Sequence, residues 1–242
     1  MRAALILAIA LIFINTSVLA QGQTLDLSSA NIDPSDHASL VRGAKAYSRY
    51  CLSCHSLQYQ HYKQVAKGLQ LSHGELQRDI MITPNTHWTM PMNAAFSNEN
   101  MKQWLGRAAP DLTYITKQYS PDWLYTYLHA FYTDPTQPLG VNNWLVPNVS
   151  MPNVLQGLQG PTQAIYSESP TNLLLGVKVS GSGVLNPNQY DQFVRDLVNY
   201  LNYTADPSTE QRHNIGWWVL GFLSLFTMLA WLLKKEYWRD AH

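Results

Sequence analysis

Two thiols three residues apart with an imidazole directly behind them, Cys51-Leu52-Ser53-Cys54-His55, are the groups in this 242-residue chain best spaced to do chemistry. Sulfurs at that spacing can bond to the two vinyl groups of a porphyrin, and the adjacent imidazole is then held under the iron. The motif predicts one covalently bound haem c, anchored by Cys51 and Cys54, with His55 as the proximal iron ligand. A zinc site would need a second Cys or His pair at ligand spacing, and His37, His61, His73, His87, His129, His213 and His242 form none along the sequence. A thioredoxin-type dithiol sits where a strand enters a helix and has no need of the histidine. The chain contains no further cysteine.

The sixth iron ligand decides between an electron carrier and a reactive haem. A thioether is a soft ligand that favours ferrous iron, raises the potential and blocks access to substrate. Outside the apolar ends of the chain the candidates are Met81, Met90, Met92, Met101 and Met151. Met151 lies between Pro147 and Pro152 in an Asn-rich stretch, where the prolines disfavour helix and keep the backbone extended, as a loop laid over a haem face requires. Met90 and Met92, on either side of Pro91, compete with it, and any methionine can serve as core filler.

These groups need a framework outside the cytosol, and the termini supply the address. Arg2, the apolar run 3–14 and Val18-Leu19-Ala20 before Gln21 read as a signal peptide over 1–20. A second run, 215–233, holds nineteen residues without a charge, roughly 28 Å as a helix. Trp217 and Trp218 flank one end, Tyr237 and Trp238 the other, and Lys234, Lys235 and Arg239 mark the cytoplasmic side. The expected organisation is an exported, periplasmic haem domain over 21–211, a single transmembrane anchor over 212–235 and a cytoplasmic tail over 236–242, in a bacterial inner membrane. Without the charged residues at the two ends, 12 basic side chains face 14 acidic ones, a net of −2. Such a domain has no basic field for nucleic acid.

Three helices can be read between the termini. One over 36–50 places Leu40, Val41, Ala44 and Tyr47 on one stripe and delivers the chain to Cys51. A second opens with Ser120 as N-cap, Pro121 and Asp122, and carries Trp123, Leu124, Tyr127, Leu128 and Phe131. A third follows Asn186-Pro187 with Tyr190, Phe193, Val194, Leu197, Val198 and Leu201 at helical spacing, until Asp206-Pro207 stops it. Strand signals are weak, and Pro and Gly are dense from 135 to 183. The expected fold is mainly α, a c-type cytochrome domain with long loops plus one C-terminal transmembrane helix.

The order of the haem motif, Ala109-Pro110-Asp111-Leu112-Thr113-Tyr114-Ile115, Asp122-Trp123-Leu124-Tyr125-Thr126-Tyr127-Leu128, the loop ending Met151-Pro152-Asn153-Val154-Leu155, a closing helix and a tail anchor resembles bacterial cytochrome c1 over the whole mature chain. The resemblance implies that Met151 is the axial methionine and that Arg42-Gly43 and Pro110-Asp111-Leu112 pack around the haem. It further implies membership of a dimeric cytochrome bc1 complex beside cytochrome b. There the chain would accept an electron from the Rieske iron-sulfur protein and pass it to a soluble c-type cytochrome, with no substrate bond made or broken by this chain. One departure stands out: the family's arginine-containing stretch after Tyr114-Ile115 reads Thr116-Lys117-Gln118-Tyr119-Ser120 here. Arg107, Lys117 or Tyr119 are the groups that could answer a haem propionate instead. The other readings are a haem subunit of a terminal oxidase or another membrane-bound carrier, and a haem enzyme or gas sensor with an open sixth site.

Overall fold

The computed structural model describes residues 27–167 and 173–239. The proposed signal peptide therefore lies outside the described residues, as does the end of the tail. In chain order the elements are α1 (His37–Tyr50), β1 (Leu57–His61), α2 (Tyr62–Gly68), α3 (His73–Asp79), β2 (Pro91–Met92), α4 (Asn98–Leu105), α5 (Ile115–Gln118), α6 (Pro121–His129), β3 (Phe131–Thr133), β4 (Val141–Asn143), α7 (Gln156–Gln159), β5 (Thr162–Tyr166), β6 (Leu174–Val179), α8 (Pro187–Ala205) and α9 (Thr209–Tyr237).

The core is built where α1 crosses α8. Asp36 caps α1 by accepting the Ser39 N–H at 3.0 Å, and the helix buries Leu40, Ala44 and Tyr47. Asn186 and Gln189 cap α8 reciprocally, with Pro187 in its first turn, which satisfies donors that a helix start otherwise leaves open. The α8 stripe of Tyr190, Val194, Leu197, Val198 and Leu201 is buried against α1 and α6. Gly43 allows the close approach: a Cβ built there would meet the Asp196 carbonyl oxygen at 2.0 Å and the Tyr200 Cβ at 2.7 Å. Beside it the Arg42 guanidinium grips the buried Asp196 carboxylate with two bonds, of 2.6 and 2.9 Å. Gln192 donates to the same carboxylate at 2.9 Å. Arg42 and Gly43 thus lock the two helices together and do not line the haem cleft described below, which corrects the expectation that they pack around the haem.

All three expected helices form, and Ser120 caps the second as the sequence nominates. The second is shorter than its apolar spacing suggests, ending at His129, so that Phe131 lies in β3. The strands are the part that the residues concealed. Three two-stranded antiparallel pairs, β1-β2, β3-β4 and β5-β6, occupy the loop regions. The strands are two to six residues long, too short for an alternating pattern to stand out.

After α8, Asp206 turns the chain into α9. Its carboxylate takes two bonds from Arg212, at 2.6 and 2.8 Å, and lies 3.8 Å from the Lys117 ammonium. The Arg212 bond holds its pKa down at about 2. Within α9, residues Arg212–Tyr237 form a 26-residue stretch whose most apolar 18 residues have a mean hydropathy of 1.8, long and apolar enough to cross a membrane. Its apolar side chains are exposed on every side, with Trp217 76% and Trp218 83% accessible. Only lipid or partner helices can cover such a surface.

Candidate functional site

Cys51 is the C-cap of α1, so the helix ends as the motif begins, and His55 N–H donates back to the Cys51 carbonyl at 2.8 Å. The buried Tyr47 hydroxyl donates to the His55 carbonyl. These bonds close the motif into one tight turn beneath α1. Burial pushes the Cys51 thiol up to about 12 and raises Cys54 as well. A redox dithiol needs the opposite shift, so the pair is not arranged as a thiolate nucleophile.

The imidazole is oriented from the 109–113 turn. His55 Nδ1 lies 2.8 Å from the Pro110 carbonyl oxygen; a carbonyl only accepts, so Nδ1 carries the proton and Nε2 presents a free lone pair. Burial lowers the histidine pKa, against the Pro110 bond and the Asp111 charge, which raise it. The turn itself is fixed by Asp111, which accepts the N–H groups of Gln58 and Thr113 at 2.8 and 2.9 Å, and by Leu112 N–H donating to Ser56 at 2.9 Å. Pro110-Asp111-Leu112 therefore does pack at the site, as the resemblance implies.

The Asn-rich stretch supplies a second wall. Asn143, fully buried, donates to the Tyr127 carbonyl at 2.9 Å and accepts from the N–H groups of Leu145 and Val146 at 2.9 and 3.2 Å. Asn142 accepts the Asn143 and Asn148 N–H groups at 2.9 and 2.8 Å and donates to Asp134 at 3.0 Å. Side-chain amides thus take the place of a backbone ladder and hold an irregular loop in one shape. At its end the Tyr127 hydroxyl donates to Met151 Sδ at 3.4 Å. Burial keeps that phenol protonated, with a pKa well above its ordinary value.

Cys51, Cys54, His55 and Met151 line one cleft, whose walls also include Tyr50, Leu105, Arg107, Ala109, Pro110 and Val154. It holds about 540 Å³ of atom-free space, part of it open to solvent, within the range of small-molecule and cofactor sites. Apolar walls, two thiols, an imidazole with a free nitrogen and a positioned thioether fit haem c. Met92 is fully buried in the core with the Tyr200 hydroxyl 3.6 Å from its sulfur, and Met90 is half exposed beyond β1; neither lines the cleft. Met101 does, from α4, a location that no spacing rule announced. The roles of Asn142, Asn143 and Tyr127 also escaped the sequence, although the density of asparagine in 142–153 was the available signal.

A helical domain that wraps such a cleft, followed by a helix able to cross a membrane, defines a membrane-anchored c-type cytochrome. A model of the cytochrome C1 family matches residues 28–241. Cytochrome c1 of Allochromatium vinosum is 44% identical over 98% of this chain and 99% of its own. A protein named ammonia monooxygenase gamma subunit, from Nitrosomonas europaea, is 38% identical over 92% of both chains. Cytochrome b/c1 of Bradyrhizobium diazoefficiens is 29% identical over 86% of this chain, which spans 34% of that longer protein. The chain belongs to the cytochrome c1 family, bc1-type electron-transfer subunits that carry a covalently bound c-type haem, and Cys51 and Cys54 are in place for it.

Proposed function

We propose that this chain accepts one electron from a Rieske iron-sulfur protein and passes it to a soluble c-type cytochrome, as the haem subunit of a quinol:cytochrome c reductase that includes cytochrome b. The observation that carries this reading is the convergence of both thiols, His55 and Met151 on one apolar cleft. The Bradyrhizobium relative, whose name joins b and c1, supports cytochrome b as neighbour. In this reading residues 1–20 are a cleaved signal peptide, 21–211 form the periplasmic domain, 212–235 cross the inner membrane and 236–242 face the cytoplasm, with the complex a dimer.

Cys51 and Cys54 would hold the haem through thioethers, and His55 Nε2 and Met151 Sδ would be the protein's ligands to its iron. Haem c supplies reversible one-electron chemistry at iron. The protein's part is to keep the ligands still. The Pro110 carbonyl fixes the His55 ring plane and its tautomer. The asparagine-braced loop and the Tyr127 hydroxyl fix the sulfur. Little then has to rearrange when the charge changes. Arg107, on the cleft wall, supplies the cation for a propionate. The other two groups are engaged elsewhere, Lys117 beside Asp206 and Tyr119 stacked on Trp123 at 4.2 Å. Removing a cation favours ferric iron, so Arg107→Gln is expected to lower the midpoint potential by roughly 20–50 mV, the effect of one partly solvated charge. Potentiometric titration checks this, and an unchanged potential removes Arg107 from the site.

The functional test is quinol-dependent reduction of the haem in tagged protein extracted from its native membrane in mild detergent. Reduction that is sensitive to a quinol-site inhibitor, with b-type haem co-purifying, is the expected result. A c-type α-band that quinol cannot reduce, with no b-type haem present, would defeat the reading.

A further inference from the structure

The Tyr127 hydroxyl that donates to Met151 Sδ belongs to the first of three rings that lead away from the cleft. Trp123 lies almost parallel to Tyr127, with centroids 5.1 Å apart and 7° between the planes. Tyr119 stacks on Trp123 in turn, at 4.2 Å and 20°. Tyr127 and Trp123 are half-buried, whereas Tyr119 is 46% exposed. A spacing of four places Trp123 and Tyr127 on one face of α6, which is ordinary helix packing. Tyr119 lies before that helix and is joined to it through Ser120, at φ 147°. Residues with a side chain rarely adopt that backbone conformation, and where it persists the surroundings hold it. The outermost ring is thus brought onto Trp123 by a strained turn, where helix spacing alone does not put it.

Two other tyrosines touch the site, and neither continues through oxidisable rings to an exposed one. Tyr47, whose hydroxyl donates to the His55 carbonyl, pairs with Tyr200 at 6.0 Å, and both are fully buried. Tyr50, on the cleft wall, meets Phe193 at 5.5 Å. Beyond Tyr127 on the side away from Trp123 in sequence stands Phe131, at 5.2 Å. Phenylalanine holds its π electrons too tightly to be oxidised where tyrosine and tryptophan are. Among the described residues, the file ending at Tyr119 is therefore the one that connects the Met151 sulfur to solvent through electron-rich rings.

We infer that Tyr127, Trp123 and Tyr119 form a relay that carries oxidising equivalents out of the cleft when hydrogen peroxide reacts with the reduced haem. The inference rests on the reading above, with haem c in the cleft and Met151 as a ligand to its iron. Peroxide takes two electrons, and iron that passes from ferrous to ferric gives one. The relay gives the other: Tyr119 loses an electron through Trp123 and Tyr127, and its phenolic proton goes to water. The O–O bond breaks, the two electrons and two protons from solvent make two water molecules, and a neutral tyrosyl radical remains at Tyr119. Tyr127 is a bridge and not the terminus, because its hydroxyl faces a thioether, too weak an acceptor to take a proton. A soluble reductant of the ascorbate class then returns an electron and a proton to Tyr119. Without the relay, the second equivalent falls on the nearby Met151 sulfur, and oxidation to the sulfoxide removes the soft ligand.

The test uses the full haem-loaded chain extracted in mild detergent, reduced, freed of reductant and mixed with an equimolar amount of hydrogen peroxide. Freeze-quench electron paramagnetic resonance should show a tyrosyl radical in the unaltered protein. Tyr119→Phe should replace it by a tryptophanyl signal, and Trp123→Phe, which keeps a ring in the stack, should abolish both. In each variant, bleaching of the c-type α-band and Met151 sulfoxide, read by peptide mass, should accumulate several-fold faster, while the midpoint potential stays unchanged. Tyr59→Phe, at an exposed tyrosine whose ring contact is with Tyr114 and not with the file, is the control and should match the unaltered protein. Absence of a radical in the unaltered protein overturns the inference. So does a tyrosyl signal that persists in Tyr119→Phe, which would place the radical elsewhere, at Tyr50 first. Bleaching and sulfoxide formation at one rate in all the proteins overturn it as well. Carbon monoxide binding to the unaltered ferrous protein would instead defeat the reading of Met151 as ligand, whereas an iron closed to carbon monoxide with variants that bleach alike defeats the relay alone.

Discussion

Met151→Leu is expected to keep the haem attached while lowering its midpoint potential by roughly 200–400 mV, a sizeable part of the range that axial ligands control. The cysteines are untouched, so the covalent c-type spectrum remains. Leucine fills most of the volume left by the thioether but donates no electron pair, and the preference for ferrous iron that sulfur confers is lost. Two readouts separate this from simple loosening of the loop. Ferrous iron should begin to bind carbon monoxide, and oxidation of the Rieske centre should cease while its reduction by quinol continues. A variant with unchanged potential and no carbon monoxide binding would move the sixth ligand elsewhere, and Met101, the other methionine on the cleft wall, would be the next to substitute.

The second large effect lies away from the iron. Gly43→Ala places a methyl group 2.0 Å from the Asp196 carbonyl oxygen and 2.7 Å from the Tyr200 Cβ. Both are backbone-anchored positions on α8 that no rotamer change can withdraw. Relief requires α1 and α8 to separate, which loosens Tyr47 against Tyr200 and the Arg42–Asp196 grip. A cost of about 2–4 kcal/mol is expected, read as a fall of roughly 5–15 °C in the melting temperature of the haem domain and a lower yield of haem-loaded protein. Gly74→Ala in α3 is the control, because a Cβ there meets nothing within 4 Å. It should be neutral or stabilise by about 0.5–1 kcal/mol. Equal losses in the two variants would show that the crossing is not as tight as described.

The contrast between these sites explains what the sequence made legible. Helix caps and stripes are local: Asp36, Ser120 and Asn186 announce their helices within four residues, and the haem motif is complete in five. Which methionine reaches the cleft was harder to read because it depends on where a loop lies. Met90, Met92 and Met151 all neighbour Pro91 or Pro152 in sequence, and only tertiary structure buries Met92 under Tyr200 while it brings Met151 to the cleft. The strand pairs left no alternating pattern because each strand is only two to six residues long. Arg42 and Gly43 show the opposite error: a pair recognised from a family was placed at the haem, although its partners, Asp196 and Tyr200, lie on α8, more than 150 positions along the chain. Spacing along a chain carries no information about such a partner.

The corner at Asp206 sets a limit on motion. Only Asp206, Pro207 and Ser208 separate the last residue of α8 from the first of α9, and the Asp206 carboxylate is clamped by Arg212 and approached by Lys117. A tether this short leaves little slack between the domain and the apolar helix. In the function proposed above, a haem in the cleft would be held at nearly one height above the lipid, as a fixed relay post, and the distance on either side would have to be travelled by the proteins that come to it.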